Sequence, residues 1–272
     1  MTKPKRVLSL GAGVQSTTLL LMALHGEIEP LDAAIFADTG WEPKAVYEHL
    51  KYLQGICQEH DLPLHIVSKG NIRADALNPS HRFASMPLFI RNKEGGKGMA
   101  RRQCTAEYKV APVVKLQREL AGLQPRQRSK EHLLTSIIGI SLDEYQRMRD
   151  APFPWLHHEY PLVDMGITRE QCLKWVAEKG YNKPPRSACI GCPYKQNSEW
   201  RLLKDEAPDE WADAVEFDHA IRGGYKREGA RLDGQMFLHR SLIPLDEVDL
   251  STPQERGIWG LFDDECQGMC GN

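Results

Sequence analysis

The feature that most constrains this chain is an apolar run that halts on small residues. Arg6-Val7-Leu8-Ser9-Leu10 is followed by Gly11-Ala12-Gly13, and then by a Leu-, Met- and Ala-rich segment from Gln15 to His25. The first run reads as a buried strand and the last as a helix, so the three small residues must form a direct strand-to-helix turn. The pattern then recurs. Ala33-Ala34-Ile35-Phe36-Ala37 reads as a second strand, residues 45 to 60 as a helix, and Leu64-His65-Ile66-Val67 as a third strand. Short strands alternating with helices predict βαβ units, and hence an α/β fold with a doubly wound, mostly parallel, Rossmann-like sheet. Crossovers of this kind are nearly always right-handed.

From Ser68 to Gln103 the periodicity dissolves, and the stretch from Ile90 to Gly98 is basic and rich in glycine. A loop this long inside a compact domain is usually functional or mobile. Regularity returns with a helix over 105–120, a polar linker over 124–130 and an apolar strand over 133–140. After Pro161 the character changes. A helix is predicted over 168–178 with Thr168 as N-cap, and two short amphipathic helices over 197–203 and 208–221. The expected organisation is an α/β domain over 1–165, with a basic loop at 68–103, and a helical, cysteine-containing C-terminal part over 166–272.

A chain of 272 residues suffices for this. No run approaches the roughly 18 apolar residues of a membrane span. The first residues carry no signal-peptide pattern, so a cytoplasmic protein with no membrane partner is expected. Seven cysteines in such a chain should be free thiols, metal ligands or redox groups. Cys57 and Cys172 fall on amphipathic helices and are expected to be packing residues. The net charge of −2 conceals an asymmetry, because residues 68–130 hold fourteen Lys/Arg against four Asp/Glu. A basic segment of that size suits a phosphate-rich partner.

The turn at Gly11-Ala12-Gly13 has a physical use. Small residues let backbone N–H groups approach an anion, and the helix that follows adds its positive dipole end. Ser16 and Thr17 add hydroxyls. No Lys follows the last glycine, so this is not a Walker A loop. The second strand ends in Asp38-Thr39-Gly40, and open parallel sheets bind ligands at the carboxyl ends of their strands. The predicted cofactor-binding set is therefore Ser9, Gly11, Ala12, Gly13, Gln15, Ser16, Thr17, Asp38, Thr39 and Gly40, with an adenine nucleotide as ligand.

At these residues the chain resembles the PP-loop ATP pyrophosphatases, and within them the phosphoadenylyl-sulfate (PAPS) reductase-like branch, of the adenine nucleotide alpha hydrolase-like fold. The family loop reads S-G-G-x-D-S. Here the aligned residues run Gly11, Ala12, Gly13, Val14, Gln15 and Ser16, and Asp38-Thr39-Gly40 resembles the family's D-T-G. The family's Asp has become Gln15, and a neutral amide holds Mg²⁺ less well than a carboxylate. Cys104-Thr105-Ala106-Glu107-Tyr108-Lys109-Val110-Ala111-Pro112 looks like the C-C-x-x-x-K-x-x-P segment of iron–sulfur adenylyl-sulfate reductases, with Thr105 in place of the second Cys. Cys189-Ile190-Gly191-Cys192-Pro193 is similar to that family's second cysteine pair.

Taken alone, a C-x-x-C is a zinc half-site, a redox pair or a cluster ligand. With the resemblance, Cys104, Cys189 and Cys192 are the predicted ligands of a [4Fe-4S] cluster, Zn²⁺ being the alternative. Cys266 and Cys270 lie in a tail loosely similar to the E-C-G ending that carries the reductase nucleophile, and their spacing suits a persulfide carrier with a resolving thiol. They are the predicted catalytic thiols, together with Lys109 and Arg102 from the basic segment. The activity the resemblance implies is ATP-dependent adenylylation of an acceptor for sulfur transfer, to DNA as in phosphorothioation or to tRNA. Mg²⁺ and a sulfur-donor protein such as a cysteine desulfurase would serve as helpers. Reduction of adenylyl sulfate or PAPS is one alternative. It needs a strand-end G-x-R, which here reads Gly139-Ile140-Ser141 with Arg147 and Arg149 out of register. A non-catalytic adenylate-binding subunit is the other.

Overall fold

In the computed structural model the chain is described over residues 3–78, 80–81, 86–224, 226–227, 230–231, 234–251 and 255. In chain order the strands are β1 (Lys5–Leu10), β2 (Ala33–Asp38), β3 (Leu64–Ser68), β4 (Phe89–Arg91), β5 (Lys97–Met99), β6 (Leu134–Ile138), β7 (Leu156–Glu159), the two-residue pieces β8 (Lys226–Arg227) and β9 (Ala230–Arg231), and β10 (Gln235–Phe237). The α-helices are α1 (Val14–Leu24), α2 (Lys44–Glu59), α3 (Ile72–Leu77), α4 (Ala111–Leu120), α5 (Pro161–Asp164), α6 (Arg169–Glu178), α7 (Asn197–Glu206) and α8 (Pro208–Ala220). The chain divides into two compact units that interleave in sequence. One holds residues 1–38, 44–69 and 107–187, and the other holds 39–43, 70–106 and 188–272.

The first unit is built on a parallel sheet in the order β3-β2-β1-β6-β7. Alternation along the strands sends side chains to both faces. Leu8, Leu10, Ala34, Phe36 and Ile137 join Leu19 and Leu20 of α1, Leu50 and Leu53 of α2 and Cys172 of α6 in one core. Val7, Ala33, Ile35, Leu134 and Leu156 join Val113 of α4, Leu123 and Trp155 in the other. Helices thus cover both faces, and the doubly wound α/β fold read from the sequence is the fold the chain has. Burying a Leu or Phe side chain of this kind contributes about 1.5–3 kcal/mol. Cys57 and Cys172 are buried, and burial pushes each thiol up to about 11, as suits packing residues.

The predicted elements hold, but the stretch 68–103, expected to be irregular, contains α3, β4 and β5, and two further differences have local causes. The helix expected from 105 begins as a π-helical turn over Thr105–Val110 before α4. Pro112 offers no N–H to the carbonyl four residues earlier, so the regular ladder is interrupted there. Strand β7, with sequence Leu-His-His-Glu, carries little apolar signal and went unread. It is a sheet edge, where one side needs no apolar partner, and Glu159 is held by Arg6 at 2.8 Å. Thr168 caps α6 as expected, its hydroxyl accepting from the Gln171 N–H while the Gln171 side chain accepts from the Thr168 N–H.

The second unit contains α3, α7, α8 and an antiparallel sheet in the order β10-β4-β5. Its core includes Trp200, Phe217, Met236, Phe237 and Leu238. Asp218 is fully buried on α8. It accepts from the backbone N–H of Leu238 at 2.7 Å and of Leu245 at 3.1 Å, and it pairs with Arg222. A buried carboxylate with this many donors is satisfied, and it ties three segments together. No helix among the described residues is long and apolar enough to cross a membrane.

Candidate functional site: a phosphate-type loop and a cysteine turn

In the first unit the strand order reverses at β1, whose neighbours are β2 on one side and β6 on the other. Loops at the carboxyl ends of strands on either side of such a switch point form the usual ligand crevice. The loop after β1 is Gly11-Ala12-Gly13. Ala12 is fully buried with φ +54°, in the left-handed region a Cβ disfavours. Gly13 is extended at the N-cap of α1 and supplies no side-chain cap, so the first turn of the helix is open to an external acceptor. The loop after β6 begins at Gly139. A Cβ there would stand 2.8 Å from the Ser16 N and 3.0 Å from its Cα, so only glycine lets the end of β6 approach α1 this closely.

The predicted polar residues of the loop are engaged within the unit. Ser16 Oγ accepts from the Gly11 N–H at 3.1 Å and donates to the Gly13 carbonyl at 3.4 Å, so it fixes the loop's shape. Thr17 is buried and its hydroxyl shares a hydrogen bond with His49 Nε2 at 3.0 Å. Burial lowers the His49 pKa to about 4, keeping the ring neutral. Ser9 pairs sideways with Ser136 of β6 at 3.1 Å, and Ser136 accepts from Gln117 at 2.8 Å. Gln15 Nε2 donates to Ser141 Oγ at 3.4 Å and to Glu144 Oε2 at 3.1 Å. Glu144 in turn accepts from Arg147 Nη1 at 2.6 Å. Gly139 and Ser141 mark the strand-end position where the resembling family has G-x-R, whereas nothing in the sequence marks His49 or Glu144 as part of this region.

Asp38 closes β2 and remains in the first unit, where its Oδ1 accepts from Tyr47 Oη at 2.8 Å and its carbonyl accepts from Ser68 Oγ at 3.0 Å. The chain then passes into the second unit, and Thr39 and Gly40 take a different part. Thr39 is buried. Its hydroxyl donates to Glu42 Oε1 at 3.1 Å and lies 3.3 Å from Cys189 Sγ. Cys189 Sγ also donates to Glu42 Oε1, at 3.7 Å. Gly40, at φ +71°, lets Asn71 approach, and a Cβ would stand 2.9 Å from the Asn71 Cα.

The cysteine turn is built on the same segment. The Ile190 N–H donates to the Trp41 carbonyl at 2.9 Å, and the Cys192 N–H donates to the Cys189 carbonyl at 3.1 Å. Trp41 is buried, donates from Nε1 to Asp213 Oδ2 at 2.5 Å and packs on Phe217 at 4.7 Å between ring centroids. Its ring lies against Gly191, where a Cβ would come within 2.1 Å of it. Gly191 is therefore the one residue type that admits the turn to this surface.

Cys104, Cys189 and Cys192 are all partly exposed and all belong to the second unit. Among the described residues, however, no three His, Cys, Asp or Glu side chains are gathered into a metal-holding group. The donor types suit iron or zinc, but the three thiols as placed do not make a coordination shell. Arg102 donates to Thr105 Oγ1 at 2.9 Å, and its guanidinium lies 5.4 Å from the centre of the Tyr194 ring, beside this turn in sequence. Lys109 lies in the first unit, on the π-helical turn. Cys266 and Cys270 lie outside the described residues.

These elements define the class to which the molecule belongs structurally: a doubly wound α/β protein with a small-residue loop at the switch point of its sheet and a second unit carrying a cysteine turn. No protein-family model matches the chain, and no curated protein does. Among solved structures it is similar to the U34-tRNA thiolase NcsA from Methanococcus maripaludis with its [4Fe-4S] cluster, at 14% identity and a TM-score of 0.42, over 86% of this chain and 77% of that one. At that similarity the functional reading rests on this chain's own residues.

Proposed function

We propose that the chain is an ATP pyrophosphatase of the PP-loop type that adenylylates an acceptor for sulfur transfer. The observation that supports the nucleotide half is the glycine-lined approach of α1 to the end of β6 at the switch point. There an uncapped helix start and a loop without bulky side chains leave backbone donors for phosphate oxygens. In the proposed reaction an acceptor oxygen attacks the α-phosphorus, the bond to the β-phosphate breaks, and pyrophosphate leaves. A sulfide then attacks the activated acceptor atom, and AMP departs with the former oxygen. Where the sulfur is instead the outer atom of a persulfide on one tail cysteine, the thiol of the other tail cysteine attacks the carrier sulfur. That attack breaks the S–S bond, frees the thiolated acceptor and leaves a Cys266–Cys270 disulfide for an external thiol to reduce. Mg²⁺ would arrive with the nucleotide, held mainly by phosphate oxygens and water.

The acceptor proposed is nucleic acid, DNA or tRNA. Support comes from the basic segment 68–130, which includes Arg91, Lys93, Lys97, Arg101 and Arg102. Neutralising backbone phosphates with such residues makes affinity fall steeply with salt. Cys104, Cys189 and Cys192 are proposed to carry iron once Cys104 joins the Cys189–Cys192 turn, with Cys266 and Cys270 as carriers of the transferred sulfur.

The deciding experiment is anaerobic incubation with ATP and, separately, with adenylyl sulfate. AMP and pyrophosphate from ATP support the proposal. Sulfite from adenylyl sulfate would replace it with a reductase, and nucleotide binding without either product would leave an adenylate-binding subunit. Iron content is a separate readout. Anaerobically purified protein is expected to carry a broad visible absorption that Cys189→Ala abolishes, and zinc without iron would end the cluster proposal.

A further inference from the structure

The resemblance expects a carboxylate in the phosphate loop, at the position where this chain has Gln15. The structure places a carboxylate beside it from another element. The 3₁₀ turn Leu142–Arg147, which follows β6, brings Glu144 to within 3.1 Å of Gln15 Nε2. Glu144 is only 7% exposed. It accepts from Gln15 and from Arg147 at once, and Ser141 at the start of the same turn is the second acceptor for the Gln15 amide. A buried carboxylate with two donors has its hydrogen-bonding needs met. An aspartate at position 15 would face that carboxylate without the amide donor that Gln15 gives it. Glutamine at 15 is thus the residue type the neighbouring Glu144 demands. Arg147 has a further property: its Nε is buried and has no hydrogen-bond partner among the described residues. A buried guanidinium donor of that kind suits an anionic oxygen.

The geometry points to an exchanged carboxylate: the acidic group that serves this phosphate loop is Glu144, and it acts as a positioning residue. It holds Gln15 against the loop and Arg147 beside it, with Arg147 keeping a donor for a phosphate oxygen of the nucleotide. This rests on the nucleotide reading of the loop proposed above. The inference explains why Arg147 lies out of register with the strand-end arginine of the resembling family: it reaches the loop through Glu144.

The test is a double-mutant cycle read two ways, by ATP affinity in calorimetry and by thermal unfolding without nucleotide. Glu144→Gln should weaken ATP about tenfold. Gln15→Asp should weaken ATP comparably and lower Tm by about 3–6 °C, through two facing carboxylates. Combining Gln15→Asp with Glu144→Gln reverses the pair, an amide at 144 now donating to a carboxylate at 15, and should return Tm to within about 1 °C of the wild type. It should also bring ATP affinity to within about threefold. If the double variant is no better in Tm than Gln15→Asp alone, the exchange is overturned. If wild-type protein fails to bind ATP while the Tm cycle closes, the pairing stands, the nucleotide reading falls, and with it the role given to Arg147. Recovery of Tm without recovery of affinity would overturn the positioning role.

Discussion

The loop after β1 and the turn at Cys189–Cys192 are made by the same device and finished to different degrees. Each is seated by a glycine against something that cannot move aside: Gly139 against the backbone of Ser16, and Gly191 against the ring of Trp41. In the loop, Ser16, Thr17 and Gln15 are already hydrogen-bonded within their own unit, so the backbone is held in one shape before any ligand arrives. Preorganisation of this kind reduces the ordering cost of binding. In the turn, the backbone is equally fixed, yet the thiols remain partly exposed and short of a coordination shell. The loop is held by its own hydrogen bonds, whereas the thiols of the turn are left without a third ligand gathered beside them among the described residues.

The largest effect that would break this comparison lies at the two glycines. Gly191→Ala should cost about 3 kcal/mol, since the added methyl meets a buried, hydrogen-bonded indole. Gly139→Ala should cost about 2 kcal/mol and abolish measurable nucleotide binding, because the methyl meets backbone at the start of α1. Neither glycine has a positive φ, so the expected losses are steric. Chemical denaturation of each variant checks them, and changes below about 0.5 kcal/mol would mean that the seating is loose.

Acid should act on both units. Burial lowers His49 to about 4 in the first unit. In the second, burial and then the charge of Arg240 lower His239 to about 4. A histidine whose folded pKa is depressed contributes fully above its unfolded value near 6.5, and that contribution is lost as pH falls toward 4. Each should contribute about 1–3 kcal/mol of acid sensitivity in that window. Urea unfolding at pH 7.5, 5.5 and 4.5 should show a flatter dependence in His49→Gln and in His239→Gln, each variant removing one portion. An unchanged slope in both would mean that the rings titrate normally.

A smaller effect sharpens the distinction between shape and contact. If the Ser16 hydroxyl only fixes the loop, Ser16→Ala should cost about 1 kcal/mol of stability and a few-fold in ATP affinity. A hundredfold loss of affinity with unaltered stability would make Ser16 a direct phosphate contact instead. Smallest of all, Cys57→Ala and Cys172→Ala should leave iron content unchanged, both thiols being buried in the first unit.

Local pattern carried much of this molecule. The strand at β1, the small-residue turn, the helix after it and the N-cap at Thr168 are decided by residues a few positions apart, and they were legible in the sequence. So were the packing roles of Cys57 and Cys172, which follow from helical periodicity. Strand β7 was not legible, because an edge strand of His and Glu lacks the apolar signal that marks a buried one. Nor was the passage of Thr39 away from Asp38. The two adjoin in sequence, but Thr39 turns to Cys189, a residue 150 positions on. The sequence by itself determined that a parallel sheet would present a glycine loop at a strand end. Only the tertiary structure decided that Gln15 meets Glu144 and that Gly191 meets Trp41. Hydrogen bonds and close contacts between distant segments depend on how strands order themselves in the sheet, and no local periodicity encodes that order.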